Sequence, residues 1–416
     1  MTEPPAAEPH LPAQPFFTSP AQRVALARDR FFERGERPTG LVSEAVLQSW
    51  SRCVGARRNP ERAVEFDPIS RPRIQAVLER NRDLLRAAHE PVAQLERALA
   101  GSGCRVLLTD ASGVQVRAPS EAPGRGEPVL RSAARIGVSL DERHVGTNAP
   151  GLVLRTGAAT VVTGAEHYFA NTGVLSCVAA PIGNGRGGLA GVLDLTVEGR
   201  PFAFDAAALV GLHAAMIEND LMLVRARDTV VVRFQVGAGL LEGPMQALAG
   251  IDGEGRLAWC NGTARRLLGL SACHGGDIEH SFGVSLAGML RRCGAPPAPL
   301  SLPNGLTIWV QVARAGSGPA AHAEGGVDEH AAVGEAAAPE AASSVTAAAA
   351  APLLQPSGAA SAATGSSAAA ALPSPTLEQH TRQTIRRVVD ECGGNLSAAA
   401  RRLGVSRGLL YRRLRA

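Results

Sequence analysis

The residues with the clearest potential for chemistry are arginines near the C-terminus. Residues 376–416 contain nine arginines and three acidic residues, a local charge of +6, whereas the whole chain of 416 residues carries +4. Guanidinium groups bind phosphate oxygens and base edges through paired N–H donors. A basic module at one end of a chain whose remainder is close to neutral is typical of a nucleic-acid-binding segment.

Three predicted helices position these arginines. Leu377–Cys392 has apolar residues at helical spacing and is followed by two glycines, a common C-terminal signal. A short alanine-rich helix comes next, and Gly404 then allows a tight turn before the last, basic helix. Three polar residues can cap the second and third helices: Asn395, Ser397 and Ser406. This succession predicts a helix-turn-helix.

The last helix has one apolar and one basic face. Leu410 and Leu414 are four residues apart and are expected to face the core. Arg407 lies in the first turn, where recognition helices contact base edges. The helical period turns four further residues away from the core: Gly408, Tyr411, Arg412 and Arg415. The alternative is a solvated basic helix that packs on another domain, but the turn spacing and the caps favour DNA.

The sequence GGNLSAAARRLGVSRGLLYRRL, residues 393–414, resembles the C-terminal helix-turn-helix of the Fis family, which also ends many sigma-54 activators. The resemblance implies dimeric DNA binding through the preceding helix, Leu377–Cys392. It also places six residues where the family contacts phosphates and bases: Asn395, Ser397, Ser406, Arg407, Tyr411 and Arg412.

Residues 21–230 resemble the input domain of AcoR-like regulators. The resemblance depends on motifs that occur in order: GTNA at 146–149, EHYF at 166–169, SCVAAPI at 176–182 and GVLDLT at 191–196. It implies a GAF sensor domain, in which a sheet and helices enclose a small-molecule pocket. A helix over Phe204–Val230 is expected to close the domain.

Polar residues within these motifs are the candidate ligand contacts: Thr147, Asn148, Glu166 and His167. Polar groups in an apolar pocket orient a ligand. The alternative is that Asn148 and His167 bind loop backbone groups and cap helices. Cys177 is expected to be a small core residue rather than a redox sensor, and His144 and His167 lack a metal-ligand spacing.

The rest of the chain divides by composition. Residues 236–314 contain a strand, turn, strand and helix that resemble a PAS domain, with a second hairpin turned at Asn304 and Gly305. Residues 315–375 are mostly Ala, Ser, Gly and Pro, which predicts a disordered linker. The predicted fold is therefore multidomain α+β with an all-α C-terminal domain. Its predicted segments are a disordered start (1–20), a helical region (21–100), GAF (101–230), PAS-like (236–314), linker (315–375) and helix-turn-helix (376–416). Within the helical region, a single helix is predicted over Arg73–Ala100.

Several function classes are disfavoured by absent residues. The chain has no lysine, so it cannot supply the phosphate-binding lysine of the AAA+ ATPase domain that sigma-54 activators carry. Its seven cysteines include no CxxC pair, which predicts reduced thiols in a cytoplasmic protein. No apolar run predicts a membrane span. No nucleophile–base pair, metal set or cofactor motif indicates an enzyme or a bound cofactor.

The sequence thus predicts a DNA-binding transcriptional regulator that responds to a small-molecule effector and has no ATPase activity of its own. Its expected partners are double-stranded DNA, a second copy of the chain, and RNA polymerase holoenzyme or an ATPase-bearing relative, with no membrane. The alternative is a sensory partner protein that modulates such a relative by protein–protein contact.

Substituting the two arginines of the recognition helix tests the DNA assignment. Arg407→Ala and Arg412→Ala are each expected to weaken specific DNA binding by about 1–3 kcal/mol, because each removes a base-edge contact. Gel-shift titration measures the loss, and circular dichroism verifies the fold. Unchanged affinity in both variants would refute the assignment.

Overall fold

The structure is a computed structural model that describes residues 19–271, 273, 275–315, 387–389 and 399. Contacts divide the chain into two units, Met1–His322 and Ala323–Ala416. In the second unit, residues 387–389 are helical, and Ala399 is helical and buried. Residues 316–375 of the predicted linker and the residues predicted to contact DNA lie outside the described residues, so those assignments stay predictions.

Helices form the beginning of the first unit. Ser19 and Ser43 cap the first two helices, since their side chains accept hydrogen bonds from the backbone N–H groups of Gln22 and Val46. The single helix expected over residues 73–100 is divided at Asn81, which leaves helical geometry (φ −102°, ψ 16°). The helices are α1 (Pro20–Arg28, continued by a π-helical turn, Asp29–Glu33), α2 (Glu44–Gly55), α3 (Arg71–Arg80) and α4 (Arg82–Ala98).

A five-stranded antiparallel sheet follows, with strand order β2-β1-β5-β4-β3. Its strands are β1 (Arg105–Asp110), β2 (Gln115–Arg117), β3 (Thr160–Thr163), β4 (Leu175–Gly183) and β5 (Leu189–Glu198). The helices that accompany it are α5 (Pro128–Ala133), α6 (Glu142–Val145), α7 (Ala149–Thr156) and α8 (Ala206–Arg225).

The two faces of this sheet pack against different elements. Because side chains alternate along a strand, Leu193 and Leu195 of β5 join a core with α4 and α8. Val192 of β5, with Cys177 and Ala179 of β4, joins a separate core with α2 and α7. Burial of both faces explains why the central strands read as nearly continuous apolar runs.

Helix α8 differs from its prediction. It ends at Arg225, and Val230 begins a strand, so the helix expected over Phe204–Val230 is too long by several residues. The helix is long and apolar enough to cross a membrane by length and composition, although the sequence predicted no membrane span. In the structure it packs against α4 and β4, as the core helix of a globular unit does.

A second five-stranded antiparallel sheet has the order β8-β7-β6-β10-β9. Its strands are β6 (Val230–Gln235), β7 (Ala247–Ile251), β8 (Leu257–Cys260), β9 (Ala298–Ser301) and β10 (Thr307–Arg314). Three short helices accompany it: α9 (Gly262–Leu268), α10 (Ile278–Phe282) and α11 (Leu286–Leu290). Both expected hairpins are present, and the central strand, β6, precedes the predicted start at residue 236. Two antiparallel sheets with helices confirm an α+β architecture.

Two cysteines near the second sheet are bonded to each other, although the sequence predicted reduced thiols throughout the chain. Cys260 and Cys273 form a disulfide in the structure, with their Cα atoms 5.8 Å apart. The two cysteines are separated by 13 positions in the sequence, which matches no short cysteine motif. They meet because the turn after α9 packs against the end of β8. Cys53, Cys104, Cys177 and Cys293 are free.

One asparagine joins helix α8 to the second sheet. Asn261, the N-cap of α9, accepts from the Ala264 amide (2.8 Å) and the Leu248 amide (3.1 Å). Its Nδ2 donates to Asn219 Oδ1 of α8 (2.7 Å) and to the Gln246 carbonyl (2.8 Å). Asn261 is buried, so all these bonds form away from water. Beside it, the Gly262 amide donates to Glu218 Oε1 of α8 at 2.9 Å.

Replacing this asparagine tests the junction. Asn261→Ala is expected to lower the free energy of unfolding by roughly 2–4 kcal/mol, because it removes a helix cap and leaves buried polar groups unpaired. The matched control is Asn59→Ala, an exposed loop asparagine whose loss is expected to cost within about 0.5 kcal/mol. Chemical denaturation measures both, and equal effects would contradict the role assigned to Asn261.

Candidate functional site

A cavity of about 30 Å³ lies against the face of the first sheet that α2 and α7 cover. The sheet contributes Leu107, Leu175, Cys177, Asp194 and Thr196, and the opposite wall comes from α5, α6, the start of α7 and adjoining loops. The remaining lining residues are Phe66, Leu130, Ala133, Leu140, Val145, Asn148, Pro150, His167 and Thr172. The lining is mostly apolar with a few polar groups, as in small-molecule sites.

Asp194 is the most unusual of these polar groups. It lies in the central strand β5, between Ala179 of β4 and Leu107 of β1, and is 1% exposed. Its Oδ2 accepts from Thr196 Oγ1 at 2.5 Å, whereas Oδ1 has no partner among the described residues. Burial raises the pKa of this carboxyl from 3.8 to about 7, because desolvation disfavours the charged form.

The contacts continue from Thr196 into a hydrogen-bonded chain. Thr196 Oγ1 lies 3.3 Å from Cys177 Sγ, and this sulfur lies 3.4 Å from Nε2 of His167. His167 Nδ1 lies 3.0 Å from the carbonyl oxygen of Gly164. Since a carbonyl only accepts, Nδ1 carries the proton in the neutral ring and Nε2 accepts from the thiol. We call Asp194, Thr196, Cys177, His167 and the Gly164 carbonyl the polar chain.

Burial disfavours the charged forms of the side chains in the polar chain. Desolvation lowers the pKa of His167 to about 4, and it raises the pKa of the Cys177 thiol well above its ordinary value. The structure thus places a thiol beside an imidazole, a juxtaposition that sequence spacing did not predict. Burial thus favours the thiol form of Cys177, whereas nucleophilic cysteines act as thiolates.

The four residues predicted from the sequence to contact ligand occupy different environments. Asn148 and His167 line the cavity, whereas Thr147 and Glu166 do not. Asn148 also caps α7, since its Oδ1 accepts from the Gly151 amide at 2.8 Å. Thr147 bonds Ser49 through their hydroxyls (2.7 Å). Glu166 accepts from the Thr163 amide (3.0 Å), and burial raises its pKa. Ligand contact by any of the four stays a prediction.

Helix α2 holds the loops that carry these residues. The indole Nε1 of Trp50 donates to the Glu166 carbonyl at 2.9 Å. Arg52 donates to both carboxylate oxygens of the buried Glu142, at 2.6 Å each. Ser49 and Thr147 are hydrogen-bonded through their hydroxyl groups, so three residues of α2 contact α6, the GTNA loop and the EHYF segment. We call this set of contacts the α2 latch.

Sequence reasoning missed Asp194 and Thr196. The available signal was an acid and a hydroxyl residue at alternate positions of GVLDLT, a motif otherwise composed of strand-forming apolar residues. Alternation places both side chains on one face of the sheet. The part of the chain that the structure describes contains no group of three potential metal ligands.

Family models match both ends of the chain. A model described as MimR, N-terminal domain, matches residues 18–215. A model described as bacterial regulatory protein, Fis family, matches residues 376–416. The first match includes the cavity and the α2 latch, and the second coincides with the predicted helix-turn-helix.

Two curated relatives match parts of the chain. The Acetoin catabolism regulatory protein of Cupriavidus necator is 34% identical over 235 residues, 55% of this chain and 35% of that protein. The Acetoin dehydrogenase operon transcriptional activator AcoR of Bacillus subtilis is 28% identical over 172 residues, 40% of this chain and 27% of that protein. The matched part thus spans about a third of these relatives' length.

A solved structure, the Escherichia coli DhaR(N)–DhaL complex, covers 65% of this chain and 99% of the matched chain. It has a TM-score of 0.40 and 16% sequence identity.

The pKa shifts of Asp194 and His167 predict opposite effects of pH on stability. Between 3.8 and about 7, folded Asp194 holds a proton that the unfolded state has lost, so its contribution falls as pH rises, by roughly 4 kcal/mol in all. Between about 4 and 6.5, His167 is protonated only in the unfolded state, so its contribution rises with pH, by roughly 3 kcal/mol.

Single substitutions should therefore separate the two contributions. From acid to neutral pH, Asp194→Asn is expected to gain unfolding free energy relative to the native protein, and His167→Gln to lose it. The control Asn59→Ala changes an exposed residue without an ionisable group and is expected to retain the native profile. Denaturant titrations at several pH values provide the measurement. Parallel profiles for Asp194→Asn and the native chain would show that Asp194 is not buried as described.

Proposed function

We propose that this AcoR-like, Fis-type regulator is a sequence-specific DNA-binding transcriptional regulator whose first unit senses a small molecule. The observation that carries the proposal is the occurrence in one chain of a Fis-family segment and a buried cavity with an unpartnered carboxyl oxygen. The first feature is suited to DNA binding and the second to ligand binding.

The sensing role is assigned to a GAF-type domain formed by the first sheet and its helices. The motifs GTNA, EHYF, SCVAAPI and GVLDLT all contribute side chains to the cavity or its supports. Asp194 Oδ1 is one of six buried side-chain atoms without a hydrogen-bond partner among the described residues, and of these six it alone belongs to a residue that lines the cavity. A ligand that supplies the missing bond would account for an unpaired atom at this place. The second sheet is assigned to a PAS-type domain.

The path from the cavity to the rest of the molecule is assigned to strands β4 and β5 and helix α8. Helix α8 packs on both strands, and its Glu218 and Asn219 bond α9 and its cap. A ligand that shifts the cavity walls would therefore bias the junction with the second sheet. The sensor and the DNA-binding segment are connected by a predicted flexible linker, which would not transmit a fixed orientation. We therefore expect the ligand to act by changing dimerisation or partner contact.

Regulation is proposed to occur without ATP hydrolysis by this chain. A phosphate-binding loop of the GxxxxGK[ST] type requires a lysine, and the sequence has none. The protein would act in the cytoplasm as a dimer on DNA, together with RNA polymerase holoenzyme or an ATPase-bearing relative. A sensory partner that acts only by protein contact is the second candidate, and it would not retain DNA.

The experiment combines operator mapping with a cavity variant. Genomic SELEX with the full chain identifies bound sequences, and a reporter behind one of them is tested with acetoin first, because two relatives are named for acetoin. Ala133→Val, which narrows the cavity, is expected to abolish the reporter's response while DNA retention persists. The control Ala158→Val lies at an exposed position and is expected to respond normally. Absence of specific DNA retention by the native chain would refute the proposed function.

A further inference from the structure

We propose that Cys260 and Cys273 form a reversible redox site. Their disulfide opens and closes by exchange with a small dithiol–disulfide couple, and its state sets how firmly the second sheet is held to the first sheet and to helix α8. The input is a change of redox state and is separate from the cavity. The inference rests on the proposed function in one respect, because a regulator that binds DNA works in the reducing interior of the cell.

The positions of the two cysteines allow the bond without movement of the backbone. Their Cα atoms are 5.8 Å apart, within the range of roughly 4.4–6.8 Å that disulfides span. Cys260 is 5% exposed and Cys273 is 1% exposed, so the bond lies away from bulk water. Cys293, which bridges to Val312 of β10, is free. Bonding near the second sheet is thus specific to one pair of the described cysteines.

Cys260 lies where the second sheet contacts the first. Its backbone N–H donates to the carbonyl of Gly185, in the turn between β4 and β5, at 2.9 Å. The side chain of Asn261 and the amide of Gly262, which follow directly, bond residues of α8. Three consecutive residues therefore connect the end of β8 to the hairpin of the first sheet and to the helix. A constraint on Cys260 is a constraint on this junction.

Cys273 lies on the other side of α9. The turn that contains it is bonded to β8, since the Gly275 amide donates to the Leu257 carbonyl (2.9 Å) and the Leu257 amide donates to the Gly276 carbonyl (2.7 Å). The disulfide therefore closes a loop that contains the whole of α9. A helix as short as α9 depends on its cap and its tertiary contacts, so the closed loop helps to keep α9 in place.

Exposure indicates which sulfur is attacked. Cys260 follows the buried Trp259 at the end of a strand. Cys273 lies in a turn in which Ser271 and Gly275 are exposed. Displacement of this turn brings the sulfur of Cys273 to solvent, whereas exposure of Cys260 requires loss of the junction. We therefore expect attack at Cys273, with Cys260 as the leaving group.

The small dithiol supplies the electrons for opening. Its thiolate attacks the sulfur of Cys273, the S–S bond of the protein breaks, and Cys260 leaves as a thiolate that takes up a proton. The second thiol of the small molecule loses its proton, displaces Cys273 from the mixed disulfide and closes a new S–S bond. The protein gains two electrons and two protons, and the dithiol loses the same number. The reverse sequence restores the protein disulfide.

Compartment and position together favour a reversible bond over a permanent cross-link. Disulfides are rare in reducing compartments, and those that occur there are usually transient, catalytic or redox-sensing. Closing a loop of this length shifts the folding equilibrium toward the folded state by on the order of 100-fold. Opening the bond therefore lets α9 and the turn after it open locally more often. The junction through residues 260–262 weakens with them.

The test equilibrates the purified full chain in buffers with graded ratios of reduced to oxidised dithiothreitol. Alkylation and peptide mass spectrometry give the fraction of Cys260 and Cys273 present as thiols, and circular dichroism verifies the fold. We expect one reversible transition in which both cysteines change together while the fold persists. A pair that stays reduced in the most oxidising buffer, or that is reduced only after denaturant is added, would overturn the proposal.

Hydrogen exchange on the same samples tests the connection to the junction. Reduction is expected to accelerate amide exchange in residues 257–269 by about tenfold or more, because these residues lose the constraint of the closed loop. Amides of β1, in the core of the first sheet, are the internal reference and are expected to keep their rates. Equal rates for residues 257–269 in both redox states would show that the bond does not hold the junction.

Variants separate the bond from the packing of the thiols. Cys273→Ser is expected to exchange like the reduced native chain in every redox buffer. The matched control Cys293→Ser removes a free cysteine and is expected to retain the redox transition. Redox-dependent exchange in Cys273→Ser, or loss of the transition in Cys293→Ser, would refute the assignment. The native chain under reduction supplies the same comparison without a substitution.

DNA retention measured in both redox states distinguishes this inference from the proposed function. Specific DNA binding by a chain without a reversible disulfide would refute the redox site and leave the regulator. A reversible disulfide in a chain that binds no specific DNA in either state would refute the DNA-binding function and leave the redox site.

Discussion

The docking of helix α2 onto the loops around GTNA and EHYF is the interaction on which the closed cavity depends. Trp50 is fully buried, and its indole N–H bonds the Glu166 carbonyl directly beside His167. Arg52 donates to the carboxylate of Glu142 in α6, and Ser49 is hydrogen-bonded to Thr147 in the GTNA loop. These loops have no strand partner of their own, so the α2 latch supplies the polar partners that their buried groups require.

The cavity follows from an asymmetry between the faces of the first sheet. On one face Leu193 and Leu195 pack into a continuous apolar core with α4 and α8. On the other, Asp194 and Thr196 replace apolar residues in the middle of β5. A buried carboxyl lowers stability at neutral pH unless a ligand or a proton satisfies it. This cost is typical of a site maintained for binding rather than for packing.

The junction between the sheets gives the cavity a route to the second sheet. Strands β4 and β5 carry the polar chain on one face and contact α8 through the other. Near its end α8 presents Glu218 and Asn219 to the second sheet. Because Asn261 is bonded to α8, β7 and α9 together, a displacement of α8 cannot leave the second sheet unchanged.

Local patterns were sufficient for most elements of the first unit. Strand periodicity predicted both hairpins of the second sheet, and the apolar strings at SCVAAPI and GVLDLT became β4 and β5. The division at Asn81 and the end of α8 at Arg225 could not be predicted, since packing decides where a helix ends when propensity is similar on both sides. The bonding of Cys260 to Cys273 likewise required the fold.

The sequence by itself determined the chemical types at the site, including a histidine, a cysteine, an acid and a threonine within motifs that suggested a sensor. Only the tertiary structure decided that His167, Cys177, Thr196 and Asp194 form one chain and that one oxygen of Asp194 is left unpaired. These residues come from a loop and two strands, and their contacts depend on strand register and on the α2 latch. Sequence periodicity records which face a side chain occupies, but not which distant side chain it meets.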